Sequence, residues 1–187
     1  MAPVLRAEAL RKGVEPGVNP KKAAVMALFY PDPQYRTNML LILRNTYPGV
    51  HSNQIGFPGG QQEAQDISLQ DTALRETQEE VGVPREEVIV VRSLSTLYIP
   101  PSNFEVSPFI GLYDKKHPFV PQQSEIEALV EVPLAELMDD RLLITRRLRT
   151  SYSRETEVPA FHLRGHVVWG ATAMMLSEIK ELLKSVI

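Results

Sequence analysis

The side chains whose types and spacing suggest chemistry lie between Gly59 and Gly82. The stretch reads Gly59-Gly60, then Glu63 and Asp66, then Arg75-Glu76-Thr77-Gln78-Glu79-Glu80-Val81-Gly82. Ser68 suits the cap of a helix, because its hydroxyl can accept a free backbone N–H of the first turn. Asp71 falls in that turn, where the helix dipole favours an acid. Gly82 supplies a left-handed stop, with Pro84 just beyond it. These signals predict a helix over residues 68–81. At about 100° per residue, Glu79 lies about 300° and Glu80 about 40° round from Glu76, so the three acids share an arc of about 100°. Leu74 and Val81 point roughly the opposite way. One face of the helix is core and another is an acid cluster.

That cluster has a cost. Like charges at i, i+3 and i, i+4 each destabilise a helix by roughly 0.2–0.5 kcal/mol. No lysine within the helix offsets them. Arg75 reaches Glu79 one turn on, which leaves Glu76 and Glu80 without a partner. One reading is a solvated acidic face that simply carries the repulsion. The other is a divalent cation that relieves it. Mg²⁺ is held by a few carboxylates together with waters and substrate phosphates, so two acids one turn apart suit it. The glycine-rich turn ahead of the helix exposes backbone carbonyls that can add an oxygen donor.

The surrounding elements must hold this helix in place. Residues 23–30 form an apolar run bounded by Lys21-Lys22 and Pro31, and residues 39–43 repeat the pattern, so both read as buried strands. Residues 45–60 read as a loop, with Pro48-Gly49 and Phe57-Pro58-Gly59-Gly60 as turn signals. Residues 88–91, 104–112 and 126–132 read as strands. Residues 133–138 suit a short helix with Pro at its first position. Residues 141–151 and 158–163 look like a strand pair. Residues 168–187 form a long amphipathic helix, with Val168, Met175, Leu176, Ile179, Leu182, Leu183 and Val186 at helical spacing. This mixture predicts an α/β (α+β) fold, a mixed sheet sandwiched between helices. Residues 1–20, with Pro3, Gly13, Pro16, Gly17 and Pro20, read as an arm ahead of the core.

Composition narrows the classes. The chain has 187 residues with no low-complexity block, which predicts one domain over residues 1–187. Its net charge of −3 argues against a nucleic-acid or membrane-surface binder. No apolar run approaches the length of a membrane span, and residues 1–11 lack the pattern of a secretory signal. The absence of cysteine excludes disulfides, thiolate metal sites and a cysteine nucleophile. A cytoplasmic location is the expectation. The sequence leaves homo-oligomerisation open.

The stretch resembles a known motif, the Nudix box. That box runs Gly, five residues, Glu, seven residues, Arg-Glu, an apolar residue, any residue, Glu-Glu, any residue, Gly and an apolar residue. Arg75, Glu76, Glu79, Glu80, Gly82 and Val83 stand at that spacing, which puts the box at about residues 60–83. Asp66 replaces the upstream Glu, Thr77 takes the apolar position, and the segment from Gly60 to Arg75 is one residue longer. The extra residue is similar to one branch of the family, the coenzyme A diphosphatases. Their signature ahead of the box is approximately Arg-Ser-x-x-Leu-Arg-x-His-x-Gly-Gln-Ile-x-Phe-Pro-Gly-Gly. Arg44, His51, Gln54, Ile55 and Phe57-Pro58-Gly59-Gly60 match it, whereas Asn45, Pro48, Gly49 and Asn53 do not. The arginine of the branch that would stand at Gly49 is missing. Two later stretches look like the same branch, Ser102-Asn103-Phe104-Glu105-Val106-Ser107-Pro108-Phe109 and Trp169-Gly170-Ala171-Thr172-Ala173.

The resemblance implies Mg²⁺- or Mn²⁺-dependent hydrolysis of a diphosphate in a small nucleotide-like substrate. In the coenzyme A branch the products are 4′-phosphopantetheine and 3′,5′-adenosine bisphosphate. Another nucleoside diphosphate derivative, such as ADP-ribose, a nucleotide sugar or a dinucleotide, is the alternative. A non-catalytic Nudix-like binding module is a further one, against which the intact acid set argues. By resemblance, Glu76 and Glu80 are first-choice metal ligands, with Glu79 close behind and Gly60 offering its carbonyl. Arg75 orients a glutamate. Arg44, His51, Gln54 and Phe57 are candidates to meet substrate, although Arg44 equally suits a salt bridge. Glu79 and Glu125 are the candidate catalytic groups. A glutamate bound to a cation is a poor base because its pKa is depressed, and Nudix enzymes often use a glutamate from a late loop. Glu127 rivals Glu125, and Glu105 is more distant. Glu63 and Asp66 have two equal readings, as acids that add a metal contact or support the metal ligands, and as exposed turn acids. Arg146, Arg147 and Arg149 read as a charged strand edge. His117, His162 and His166 read as structural.

Overall fold

A computed structural model describes residues 19–45, 54–150 and 153–185. In chain order its strands are β1 (Lys21–Pro31), β2 (Thr37–Arg44), β3 (Ile55–Gly56), β4 (Gly59–Gln61), β5 (Ile89–Ser93), β6 (Leu97–Ile99), β7 (Phe104–Leu112), β8 (Ile126–Pro133), β9 (Leu143–Thr150), β10 (Ser153–Leu163) and β11 (His166–Val168). The helices are α1 (Leu69–Val81), α2 (Leu134–Met138) and α3 (Gly170–Lys184).

Successive side chains of a strand point to opposite faces, so an apolar run buried throughout marks a strand covered on both sides. β1 is such a strand. Ala24, Met26, Leu28 and Tyr30 join one core cluster, while Ala23, Ala27 and Phe29 join another. β1 pairs antiparallel with β2 and β4 and parallel with β7. β2 carries β3 and β8, and β7 carries β5 and β6, which completes a mixed sheet. Helix α1 covers one face with Ala73 and Val81 against Met26, Leu28, Leu40 and Ile42. The other face is covered by α3, through Ala173, Met175, Leu176 and Ile179, and by the second sheet, ordered β11-β10-β9, through Phe161, Leu163 and Val168. The expected sandwich of a mixed sheet between helices is therefore present.

Helix α1 is bounded as its sequence predicts. The Ser68 side chain accepts a hydrogen bond from the Asp71 N–H, and Gly82 takes a left-handed φ of 72° while its N–H donates to the Gln78 carbonyl. Elsewhere some boundaries move. The segment read as a loop over residues 45–60 contains β3 and the start of β4, strands of two and three residues that are too short to show periodicity. Pro133 closes β8 and caps α2 rather than opening it. Val168 ends β11, so α3 starts at Gly170. Residues 1–18 of the expected arm lie outside the described residues. Among the described residues, no helix is long and apolar enough to cross a membrane.

Candidate active site

The acid cluster is built where α1 crosses β4. Glu80 is only 1% exposed, and its two oxygens have different partners. Oε1 accepts from Arg44 Nη1 at 2.7 Å, and Oε2 accepts from the Gly59 backbone N–H at 2.8 Å. A second Arg44 nitrogen donates to the Gly59 carbonyl at 2.7 Å. Strand β2 and the glycine turn are thereby tied to the helix through one carboxylate. Burial pushes Glu80 up to about 7, against the Arg44 guanidinium and the Gly59 N–H, which favour the charged form. Burial also raises Glu76, with Arg75 opposing it.

Arg75 organises the other acids. It is buried, and it grips Asp66 through Nε and Nη2 at 2.8 and 2.9 Å. Its Nη1 donates to Glu76 at 2.9 Å and to Glu79 at 3.0 Å, and Nη2 also reaches the Gln61 carbonyl. The two parallel bonds to Asp66 have the fork geometry in which arginine is strongest. This hydrogen-bonded pairing holds Asp66 well below the usual carboxylate range. Two points of the sequence reading are decided here. Of its two readings, Asp66 takes the supporting one, as the buried partner of Arg75, and not that of an exposed turn acid. Neither Glu76 nor Glu80 lacks a partner, because those partners come from Arg75 itself and from β2. Glu79 is the outermost of the three, 53% exposed.

Gly60 is fitted to Glu76. A Cβ built at residue 60 would meet Glu76 Oε2 at 2.7 Å, so the carboxylate lies against a bare Cα. On its other side Gly60 lines a cleft of ≈ 470 Å³. Arg44, Gln54 and Gln61 stand at this end of the wall, and Val25, Ile55, Phe57, Ile99, Pro101, Phe104 and Trp169 supply apolar surface. Thr172 closes part of it by donating to the Ile55 carbonyl at 3.1 Å.

The remaining candidates fall as follows. Gln54 and Phe57 line the cleft, and Arg44 both lines it and holds Glu80. His51 lies outside the described residues. Glu125 is exposed, immediately before β8. Its carbonyl accepts the Asn45 N–H at 2.8 Å, next in sequence to Arg44. The segment leading to it is anchored on α1, with Val120 N–H donating to the Val81 carbonyl and Gln122 N–H to the Glu80 carbonyl. Glu127 is exposed on β8. Glu105 pairs with Lys22 at 2.6 Å. Arg147 pairs with Glu157 across β9 and β10, as a charged strand edge would.

Residues 18–161 match the NUDIX domain. The chain belongs to the Nudix family. It is 33% identical over 164 residues to the uncharacterized Nudix hydrolase NudL of Pectobacterium atrosepticum, covering 85% of this chain and 81% of that protein. It is 31% identical over 166 residues to NudL of Yersinia pestis, covering 86% and 79%. Among solved structures it resembles the Nudix hydrolase RenU of M. smegmatis, with a TM-score of 0.60 at 15% identity, covering 89% of this chain and 88% of that one. It also resembles the NUDIX domain of Shewanella oneidensis NrtR, solved with ADP ribose, with a TM-score of 0.52 at 20% identity, covering 71% and 86%. At such identities these structures support the fold. The chain is a Nudix hydrolase acting on a diphosphate substrate.

Nudix hydrolases generally use divalent metal ions, and this Nudix hydrolase has residues that fit one. The available donors are all oxygens, the chemistry that hard cations prefer. Glu76 is seated on the bare Cα of Gly60, and burial raises both Glu76 and Glu80, a penalty that a cation offsets. Among the described residues no three acidic or histidine side chains converge on one point. A Mg²⁺-type site does not require them, because waters and substrate phosphates complete it.

Proposed function

We propose that this Nudix hydrolase cleaves the diphosphate bond of coenzyme A or a derivative, giving 4′-phosphopantetheine and 3′,5′-adenosine bisphosphate, with Mg²⁺ or Mn²⁺ as cofactor. One observation carries the reading. The stretches that resemble the coenzyme A branch are far apart in sequence, yet Gln54 to Phe57, Phe104 with Val106, and Trp169 to Thr172 line the same cleft beside Gly60. On this reading residues 1–187 act as one Nudix domain.

A diphosphate repels a nucleophile with its own negative oxygens. Bound divalent metal neutralises that charge and makes water a better nucleophile. Glu76 and Glu80 are its proposed ligands, with Glu79 and the Gly60 carbonyl completing the protein's share. Asp66 anchors Arg75, and Arg75 orients Glu76 and Glu79 without touching substrate. Arg44 sets the position of Glu80 and stands at the cleft wall, where Gln54, Phe57 and His51 are the proposed substrate contacts. Glu125 is the proposed base, drawn from outside the helix because a carboxylate bound to a cation is a poor base.

The test is a panel of diphosphates with Mg²⁺ or Mn²⁺, including coenzyme A, ADP-ribose, nucleotide sugars, dinucleotides and nucleoside triphosphates. Coenzyme A should show the highest kcat/KM. Much faster turnover of ADP-ribose would reject the coenzyme A reading in favour of another nucleoside diphosphate derivative.

A further inference from the structure

The cleft beside Gly60 is chemically one-sided. Among its described lining residues the only charged group is Arg44, and both arms of that guanidinium are engaged, one with Glu80 and the other with the Gly59 carbonyl. From there the wall is apolar through Val25, Ile55, Ile99 and Phe104 to Trp169. Val25 stands directly across the β1–β4 pair from Gly59, so the apolar surface begins right at the glycine turn. The volume of ≈ 470 Å³ is within the usual range of a small-molecule site.

The two halves of coenzyme A differ in what they ask of such a wall. On the adenosine side, the ribose carries a 3′-phosphate only three carbons from the diphosphate oxygen. That group is an anion, and burying it against an apolar wall without a free cation is strongly unfavourable. On the other side, the second carbon from the diphosphate oxygen carries two methyl groups. This quaternary carbon is uncharged and bulky, and it gains by leaving water for an apolar wall. The amides farther along that arm are neutral and bring no charge to neutralise.

We infer that the cleft receives the pantetheine half of the substrate, with the diphosphate beside Gly60 and the 3′-phosphoadenosine half outside the cleft. The inference rests on the coenzyme A reading. It assigns Val25, Ile55 and Ile99 to substrate discrimination and makes Trp169 a reporter, since it lines the same cleft at 37% exposure and is the only tryptophan of the chain.

The experiment uses the full-length protein with Mg²⁺ and follows Trp169 emission while each product is titrated separately. 4′-Phosphopantetheine should shift the emission saturably. 3′,5′-Adenosine bisphosphate should do so only at concentrations at least tenfold higher. A stronger response to adenosine bisphosphate, or no response to either, overturns the assignment. A variant guards against an optical artefact. Ile99→Asn, checked for folding by circular dichroism, should weaken the 4′-phosphopantetheine response by about tenfold, the scale of losing a few methylene contacts, and leave adenosine bisphosphate unchanged. An unchanged 4′-phosphopantetheine response in the folded variant counts against the assignment. The two readings fail separately. Coenzyme A left uncleaved in the substrate panel rejects the activity, whereas cleaved coenzyme A with adenosine bisphosphate at Trp169 rejects only the orientation.

Discussion

The carboxylate of Glu76 occupies the space in which a side chain at residue 60 would begin, with Oε2 2.7 Å from the position of a Cβ on Gly60. The neighbouring glycine is constrained differently. A Cβ on Gly59 would meet the Val25 Cα at 2.6 Å, and its φ of +151° disfavours any other residue. Gly59→Ala must therefore displace backbone, whereas Gly60→Ala need only push aside the end of a side chain. Gly59→Ala should destabilise the fold by about 1–3 kcal/mol, the usual scale of overpacking. Gly60→Ala should stay folded and lose activity by roughly 10²-fold, as a small misplacement of a catalytic group does. Thermal melts and kcat at saturating Mg²⁺ separate the two; equal loss of stability in both would contradict the distinction.

Glu80→Gln should stay folded and lose nearly all metal-dependent hydrolysis. The amide oxygen can still accept the Gly59 N–H, so the tie between helix and turn survives in part. What disappears is one charge of the proposed metal site and the counter-charge of Arg44. Hydrolysis at the wild-type rate by the folded variant would remove Glu80 from the metal site.

Asp66 and Arg75 give a stability prediction with a defined pH window. Asp66→Asn breaks a buried ion pair and should cost on the order of 3 kcal/mol at neutral pH. The folded-state pKa of Asp66 is depressed, so its contribution is fully present above the unfolded value of about 4 and is lost as pH falls below it. The stability gap between wild type and variant should be full at pH 6 and close progressively below about pH 4. Urea melts at several pH values measure it. A gap that is constant down to pH 2 would mean that Asp66 contributes packing rather than charge.

Local signals account for much of what the sequence reveals. The caps at Ser68 and Gly82, the apolar run in β1 and the shared arc of three acids all depend on neighbours within a few residues. The partners of the acids do not. Glu80 meets Arg44 from 36 positions away and a backbone N–H from 21 away, and no periodicity carries that information. The sequence leaves Asp66 between a supporting acid and an exposed turn acid because its burial depends on Arg75 folding back nine residues. β3 and β4 are strands only because β2 and β1 are there to pair with them. The apolar cleft is likewise assembled from separated segments, so its one-sided chemistry becomes visible only when they converge.

The last prediction concerns the base. Glu125 precedes β8 in a segment fastened to the end of α1 by the Val120 and Gln122 N–H groups, and its carbonyl accepts the N–H of Asn45, beside Arg44. The backbone of residue 125 is thus tied to the same strand end that holds Glu80. Its side chain is exposed. Glu127 lies two residues later, within β8, and is the control because it shares charge and exposure but not that tie. Glu125→Gln and Glu127→Gln should be compared by kcat with metal saturating. Removal of a general base lowers the rate by about 10²–10⁴-fold, so that loss is expected for Glu125→Gln and only a few-fold change for Glu127→Gln. If Glu125→Gln loses less than a few-fold, Glu125 is not the base; a loss of about 10²–10⁴-fold in Glu127→Gln would move the role there, and Glu105, paired with Lys22, is the next residue to replace only if both variants stay active.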